Sequence, residues 1–174
     1  MTNQISTKHF IGWLGAMILL ELFDQLEQTF LGTVIRDSAW LFPVIESIHL
    51  LGLAILGGSI LILDLRLLNI LLTSIPINSI NQNCRLWFRI GISVMIFTGI
   101  PLFISESIKC YYNPFFWIKM ITLTTALIFT FTVRAKVIKN SDTYKNPIKV
   151  RATGVFSMLC WFTVAASGRW IGFY

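Results

Sequence analysis

From Trp40 to Leu63 the chain carries one carboxylate, Glu46, and one imidazole, His49, in an otherwise uncharged run. Three further stretches repeat the pattern, at about residues 87–104, 115–133 and 152–174, each interrupted by a single cation: Arg89, Lys119 and Arg169. Runs of this kind approach the roughly 20 apolar residues that cross a bilayer. Composition agrees, with 55% hydrophobic and 13% charged residues, where a soluble domain carries about 25% charged. The expected fold is therefore all-α. A transmembrane four-helix bundle forms one integral membrane domain over residues 1–174, with spans at about 40–63, 87–104, 115–133 and 152–174.

Punctuation supports those limits. Trp40, Trp87, Trp117 and Trp170 fall near span ends, where amphipathic rings sit at the membrane interface. Pro43 lies in a first helical turn that tolerates it, Pro101 lies near the exit of the second span, and Asn113-Pro114 precedes the third. Ahead of the spans, residues 1–38 have apolar Phe10, Trp13, Leu14 and Met17 at helical spacing, then Glu21, Asp24, Glu27 and Gln28. That apolar run is short for a span, so this segment is expected to be an interfacial amphipathic helix, apolar face inward. A tilted fifth span is the weaker alternative. Glu21 interrupts the run Phe10–Phe23 and no small-residue cleavage site follows, so a cleavable signal peptide is not expected.

The net charge of +6 concentrates in the connection after span three, with Arg134, Lys136, Lys139, Lys145, Lys149 and Arg151. Such a loop marks the cytoplasmic side. Residues 134–151 are thus expected in the cytoplasm and both termini outside, periplasmic in a bacterium. A topological role and contact with the lipid bilayer account for these charges, and no nucleic-acid partner is expected. The cysteines, Cys84, Cys110 and Cys160, have no CxxC pairing and suggest neither a disulfide nor a metal framework.

Ionisable residues within spans are costly and usually face a partner or cavity. Glu46 and His49 lie six and nine residues inside Trp40, about 9 and 13 Å deep at 1.5 Å per residue. Lys119 and Arg169 fall just inside the same outer level from two other spans. A second, inner layer of Asp64, Arg66, Arg89 and Arg134 reads as helix exits and snorkelling cations. For His49 three roles are open: a hydrogen bond tying helices together, an axial haem ligand, or a proton relay with Glu46. Gly52, Gly57 and Gly58 leave room for close helix approach or a flat macrocycle, and Lys119 and Arg169 have the charge that pairs with propionates. There is no second histidine within the spans. A haem here would be five-coordinate, or completed by Met95, Met158 or a His9 folded over the mouth of the bundle.

The segments Leu26-Glu27-Gln28-Thr29, Trp40-Leu41-Phe42-Pro43 and His49-Leu50-Leu51-Gly52, with Gly168-Arg169-Trp170-Ile171 at the end, resemble a bacterial family of four-span inner-membrane proteins catalogued as a domain of unknown function (DUF6644). More distantly, His49-Leu50-Leu51-Gly52 followed by Gly57-Gly58 is similar to the copper-resistance-D superfamily, which includes haem-binding protoporphyrinogen oxidases. That resemblance implies a haem b ligand role for His49. The full oxidase motif set has no counterpart here, so enzymatic activity is not expected of the chain alone.

The leading expectation is an inner-membrane electron-transfer or redox subunit that binds one haem b through the metal ligand His49, beside a membrane or periplasmic redox partner. Glu46 would orient the imidazole, and Lys119 and Arg169 would neutralise propionates. The alternative is a cofactor-free membrane protein for small-solute or metal handling or for scaffolding, in which these four residues form a buried ion-pair network. A third reading is an oxidoreductase acting on a porphyrin or quinone. The patch Ala165-Ala166-Ser167-Gly168 allows close helix contact within one chain or in a homo-oligomer.

Overall fold

The computed structural model describes residues 2–139 and 147–173, and side chains over 13–139 and 148–173. Among them the regular structure is helical throughout. Two helices, α1 (Thr2–Glu27) and α2 (Phe30–Asp37), precede α3 (Leu41–Leu67). Next come α4 (Ile77–Ser105), the short α5 (Ser107–Tyr112) and α6 (Pro114–Phe129). A π-helical turn over Thr130–Arg134 joins α6 to α7 (Ala135–Lys139), and α8 (Pro147–Ile171) closes the chain.

Four helices are long and apolar enough to cross a membrane: Leu41–Leu67, Ile77–Ser105, Pro114–Lys139 and Ile148–Ile171. At 27 residues the first reaches about 40 Å, more than the roughly 30 Å hydrocarbon core. Their outward faces carry Phe97, Phe162, Ile121 and Phe131, at 77%, 72%, 68% and 63% exposure. A water-soluble fold does not leave so much contiguous apolar surface bare. The chain is a multi-pass membrane protein.

Helix limits differ most from the sequence expectation at the start of α4. It begins after Pro76, ten residues ahead of Trp87, because Ile77 and Ile80 of its polar first turns pack on Leu63, Leu67 and Ile138. The third span likewise continues beyond residue 133, through the π turn to Lys139. At its start Asn113 accepts a hydrogen bond from the Phe115 amide at 2.9 Å, and Pro114 occupies the first turn, where its missing N–H costs nothing.

Two helix pairs make the bundle, α3 with α4 and α6 with α8, and α3 also packs on α8. The α3–α4 pair is antiparallel: His49 meets Gly99, Gly52 meets Val94 and Met95, and Leu56 meets Gly91. A Cβ on Gly91 would lie 2.8 Å from the Leu56 backbone nitrogen, so only glycine permits this approach. Between the pairs sits a core of Leu56, Ile60, Ala126, Cys160 and Trp161.

The connection after α3 turns back through Asn69 and Leu72, both left-handed at φ 62° and 55°. Arg66 holds it, donating to the Ile75 and Thr73 carbonyls at 3.0 and 3.1 Å and to Asn69 Oδ1 at 3.3 Å.

The N-terminal segment forms two helices against the α5 end of the bundle. Phe23 is enclosed by Phe103, Tyr111, Phe116 and Trp117, with ring centroids 5.3 to 6.5 Å away. Glu27 accepts from Arg36 Nη1 and from the Ile108 amide, each at 2.7 Å, and so fastens α1 to α2 and to the free N–H groups of α5. The opposite face of α1 is apolar too, with Trp13, Leu14, Met17 and Ile18 exposed.

Candidate functional site

His49 is set by the α3–α4 contact. Its Nδ1 lies 2.8 Å from Thr98 Oγ1, and the Thr98 hydroxyl donates its single proton to the Val94 carbonyl at 2.6 Å. Thr98 can therefore only accept from the imidazole, which places the ring proton on Nδ1. Nε2 then bears the lone pair, and no hydrogen bond to it is formed among the described residues. A Cβ on Gly99 would stand 3.2 Å from the His49 Cε1, so Gly99 opens the space that the ring fills.

Lys119 comes from α6 at the same end. Its Nζ would lie 3.4 Å from a Cβ on Gly168 of α8, so the ammonium rests against the neighbouring helix in the space left by a missing side chain. The ion pairs among the described residues are Arg36 with Glu27 and Asp37, Lys109 with Glu106, and Arg134 with Asp64. Lys119 thus has no carboxylate partner among the described residues.

The other two expected members form no hydrogen bond or ion pair with His49 or Lys119 among the described residues. Glu46 is exposed and takes no part in those ion pairs, so it does not orient the imidazole. Arg169 extends over the Phe173 ring at 4.7 Å. The buried four-residue ion-pair network of the cofactor-free reading is thus absent among the described residues. Of the glycines on α3, Gly52 is taken up by Val94, while Gly57 and Gly58 face open space. Met95 packs on the central core. Met158 lies one turn beyond Gly154, which packs on Asp64 and Leu67, and Asp64 is about 22 Å along α3 from His49 at 1.5 Å per residue. Met158 is therefore no sixth ligand. The His9 side chain lies outside the described residues.

The inner layer holds the larger surprise. Asp64 and Arg134 do not snorkel: they are buried at 0% and 3% exposure, with Arg134 Nη2 3.0 Å from Asp64 Oδ1. Arg134 Nη2 also donates to the Ile60 carbonyl at 3.2 Å. Close packing from α8 seals the pair, since a Cβ on Gly154 would stand 3.1 Å from the Asp64 carbonyl oxygen. Ser157 adds a buried hydroxyl beside the pair. A signal was present: an aspartate at the inner end of an apolar run needs a cation from another span. What the pattern lacked was the π turn that aims Arg134 inward. Beside it lies a cleft of about 470 Å³, between the basic end of α4 and the α6–α7 junction and floored by α3.

The sequence model of a family of unknown function (DUF6644) matches residues 22–174, and the chain belongs to that family. No curated protein and no solved structure matches it.

Proposed function

We propose, with membership of that four-span family as the premise, that the protein holds one b-type haem at the α5 end of its bundle and serves as a membrane electron-transfer subunit. The observation that carries the reading is the His49–Thr98 hydrogen bond, which fixes the ring and leaves Nε2 as the free donor. Iron-ligating imidazoles commonly have their second nitrogen held in this way. The residues present suit the group. Neutral imidazole is a haem ligand, and the unpaired Lys119 supplies the charge for a propionate. The distant similarity of His49-Leu50-Leu51-Gly52 to the copper-resistance-D superfamily points the same way.

Bound there, haem supplies a one-electron couple. The chain's own residues do the rest. Thr98 keeps the imidazole in one tautomer and one orientation, Gly99 gives it room, and Lys119 offsets negative charge. The apolar span faces keep water out. The basic end, with Lys136, Lys139, Lys149 and Arg151, faces the cytoplasm of a bacterial inner membrane by the positive-inside tendency, so the redox partner meets the opposite side.

The test is a dithionite-reduced minus oxidised spectrum of protein purified in mild detergent, with haem supplied during expression. Soret and α bands are expected in the wild type and lost in His49→Ala. No bands in the wild type overturns the cofactor; bands unchanged in His49→Ala overturn the ligand.

A further inference from the structure

We infer that the cleft at the basic end binds an anionic glycerophospholipid, its phosphate held by Arg85 and Lys139 and an acyl chain lying along Phe88 and Phe131. This site is separate from His49 and does not depend on haem.

The lining divides by chemistry. Ile60, Leu63, Phe88, Phe131 and Ile138 make an apolar wall. Asn78, Asn81 and Gln82 from the first turns of α4 supply amide donors. Three cations reach the cleft, Arg85, Arg134 and Lys139, and no carboxylate lines it. Asp64 offsets Arg134 from behind, and among the described residues Arg85 and Lys139 form no ion pair. Arg134 Nε is buried and has no hydrogen-bond partner, so this guanidinium stays committed to Asp64 and the ligand's charge falls to Arg85 and Lys139.

Position narrows the ligand. At this level α4 packs on α3 and touches α7, while α6 keeps to α8, so α4 and the third span meet only lightly, through the Phe88 and Phe131 rings with centroids 6.0 Å apart. On the same turns of α4 and α6, Leu86, Trp87 and Ile128 are bare and apolar. A soluble anion has no use for an apolar wall of this extent. An amphiphile with an anionic head has use for both parts. The volume of about 470 Å³ falls within the roughly 300–1,000 Å³ of small-ligand sites, enough for a head and the start of one chain.

The full chain, reconstituted in nanodiscs of equal phosphatidylglycerol and phosphatidylcholine, is released into detergent and its retained lipid counted by native mass spectrometry. Wild type is expected to keep phosphatidylglycerol in preference. In the double variant Arg85→Gln, Lys139→Gln that preference drops on the order of tenfold, since each cation near an anionic headgroup adds to attraction. Equal retention of the two lipids by wild type, or an unchanged preference in the variant, overturns the site. Displacement by excess inorganic phosphate overturns the acyl-chain part and assigns the cleft to free phosphate. Should the variant not fold, Cys84 reports on the wild type, because it lines the cleft. Its alkylation is expected to be slower in phosphatidylglycerol discs than in phosphatidylcholine discs, and equal rates reject the proposal.

Discussion

Arg134 of the third span lies 3.0 Å from Asp64 of the first, with both side chains shut off from solvent. Both Asp64 carboxylate oxygens and Arg134 Nε lack a well-aligned hydrogen bond, so the contact is chiefly Coulombic. Removing one partner of such a pair leaves a bare buried charge, at about 3–5 kcal/mol, whereas replacing both with apolar groups is often neutral. Asp64→Leu and Arg134→Met should each lower the thermal unfolding midpoint in detergent strongly, and the double variant should regain most of the loss. Additive losses would mean that the pair is not a unit.

Helix contact along α3 and α4 gives a second expectation, with its own control. Gly91→Ala puts a Cβ 2.8 Å from the Leu56 backbone and must push the helices apart, at about 1–3 kcal/mol. Gly57→Ala meets nothing within 4 Å and should be neutral or stabilising by up to about 1 kcal/mol, the helix-propensity gain over glycine. Unfolding midpoints of the two variants settle it.

Thr98→Val removes the group that holds His49 Nδ1 while keeping side-chain volume. Loss of such a supporting hydrogen bond weakens metal binding about 10–100-fold. Haem titration of the variant should show this weakening while the α-helical circular dichroism stays unchanged. Unaltered haem affinity would show that the Thr98 bond only ties α3 to α4.

At the junction of α1, α2 and α5, Glu27→Ala strands the Ile108 amide and frees Arg36. Leaving a part-buried donor unsatisfied costs about 1–3 kcal/mol. Hydrogen exchange over residues 107–112 should accelerate, while the amides of α8 keep their protection. Equal acceleration in both segments would show a global loss of stability instead.

Cys110, on α5 outside the spans, has its thiol pushed up to about 11 from 9.0, first by burial and then by the Glu106 carboxylate. The unfolded chain therefore loses this proton near pH 9 and the folded chain near pH 11. Stability is intact below pH 9 and declines as pH rises towards 11, by at most about 2–3 kcal/mol. In Cys84→Ser, Cys160→Ser, maleimide at pH 8 should leave Cys110 unmodified until denaturant is added. Prompt labelling of the native protein would contradict its burial.

Each span announced itself because bilayer crossing needs only length and apolar composition, and Trp40 and Asn113-Pro114 marked two of the ends. His49 and Lys119 stood out for the same reason, as single polar groups in apolar runs. Their surroundings did not stand out. Thr98, which orients His49, is one of several threonines on the spans, most of which bond back to their own helix, as Thr124 and Thr125 do. Glu46 is three residues from His49, yet its side chain is exposed and makes no ion pair among the described residues. The first turns of α4 looked like loop, since Asn78, Asn81 and Gln82 are polar and only tertiary contacts through Ile77 and Ile80 make them helix. Arg134 looked like a snorkelling cation because a regular helix would have aimed it differently.

The π turn over Thr130–Arg134 is where the third span changes phase. Each residue added to a helical turn rotates all that follows by about 100°. A wide turn of this type therefore acts as a one-residue insertion absorbed without breaking the helix. Downstream, Arg134, Val137 and Ile138 are all buried, sharing one stripe against α3 and α4. Deleting one residue within the turn would restore an ordinary helix and rotate that stripe into the lipid, taking the guanidinium with it. The basic end is therefore sensitive to the register of a single peptide unit, although it tolerates wide freedom in which apolar residue stands at each outward position.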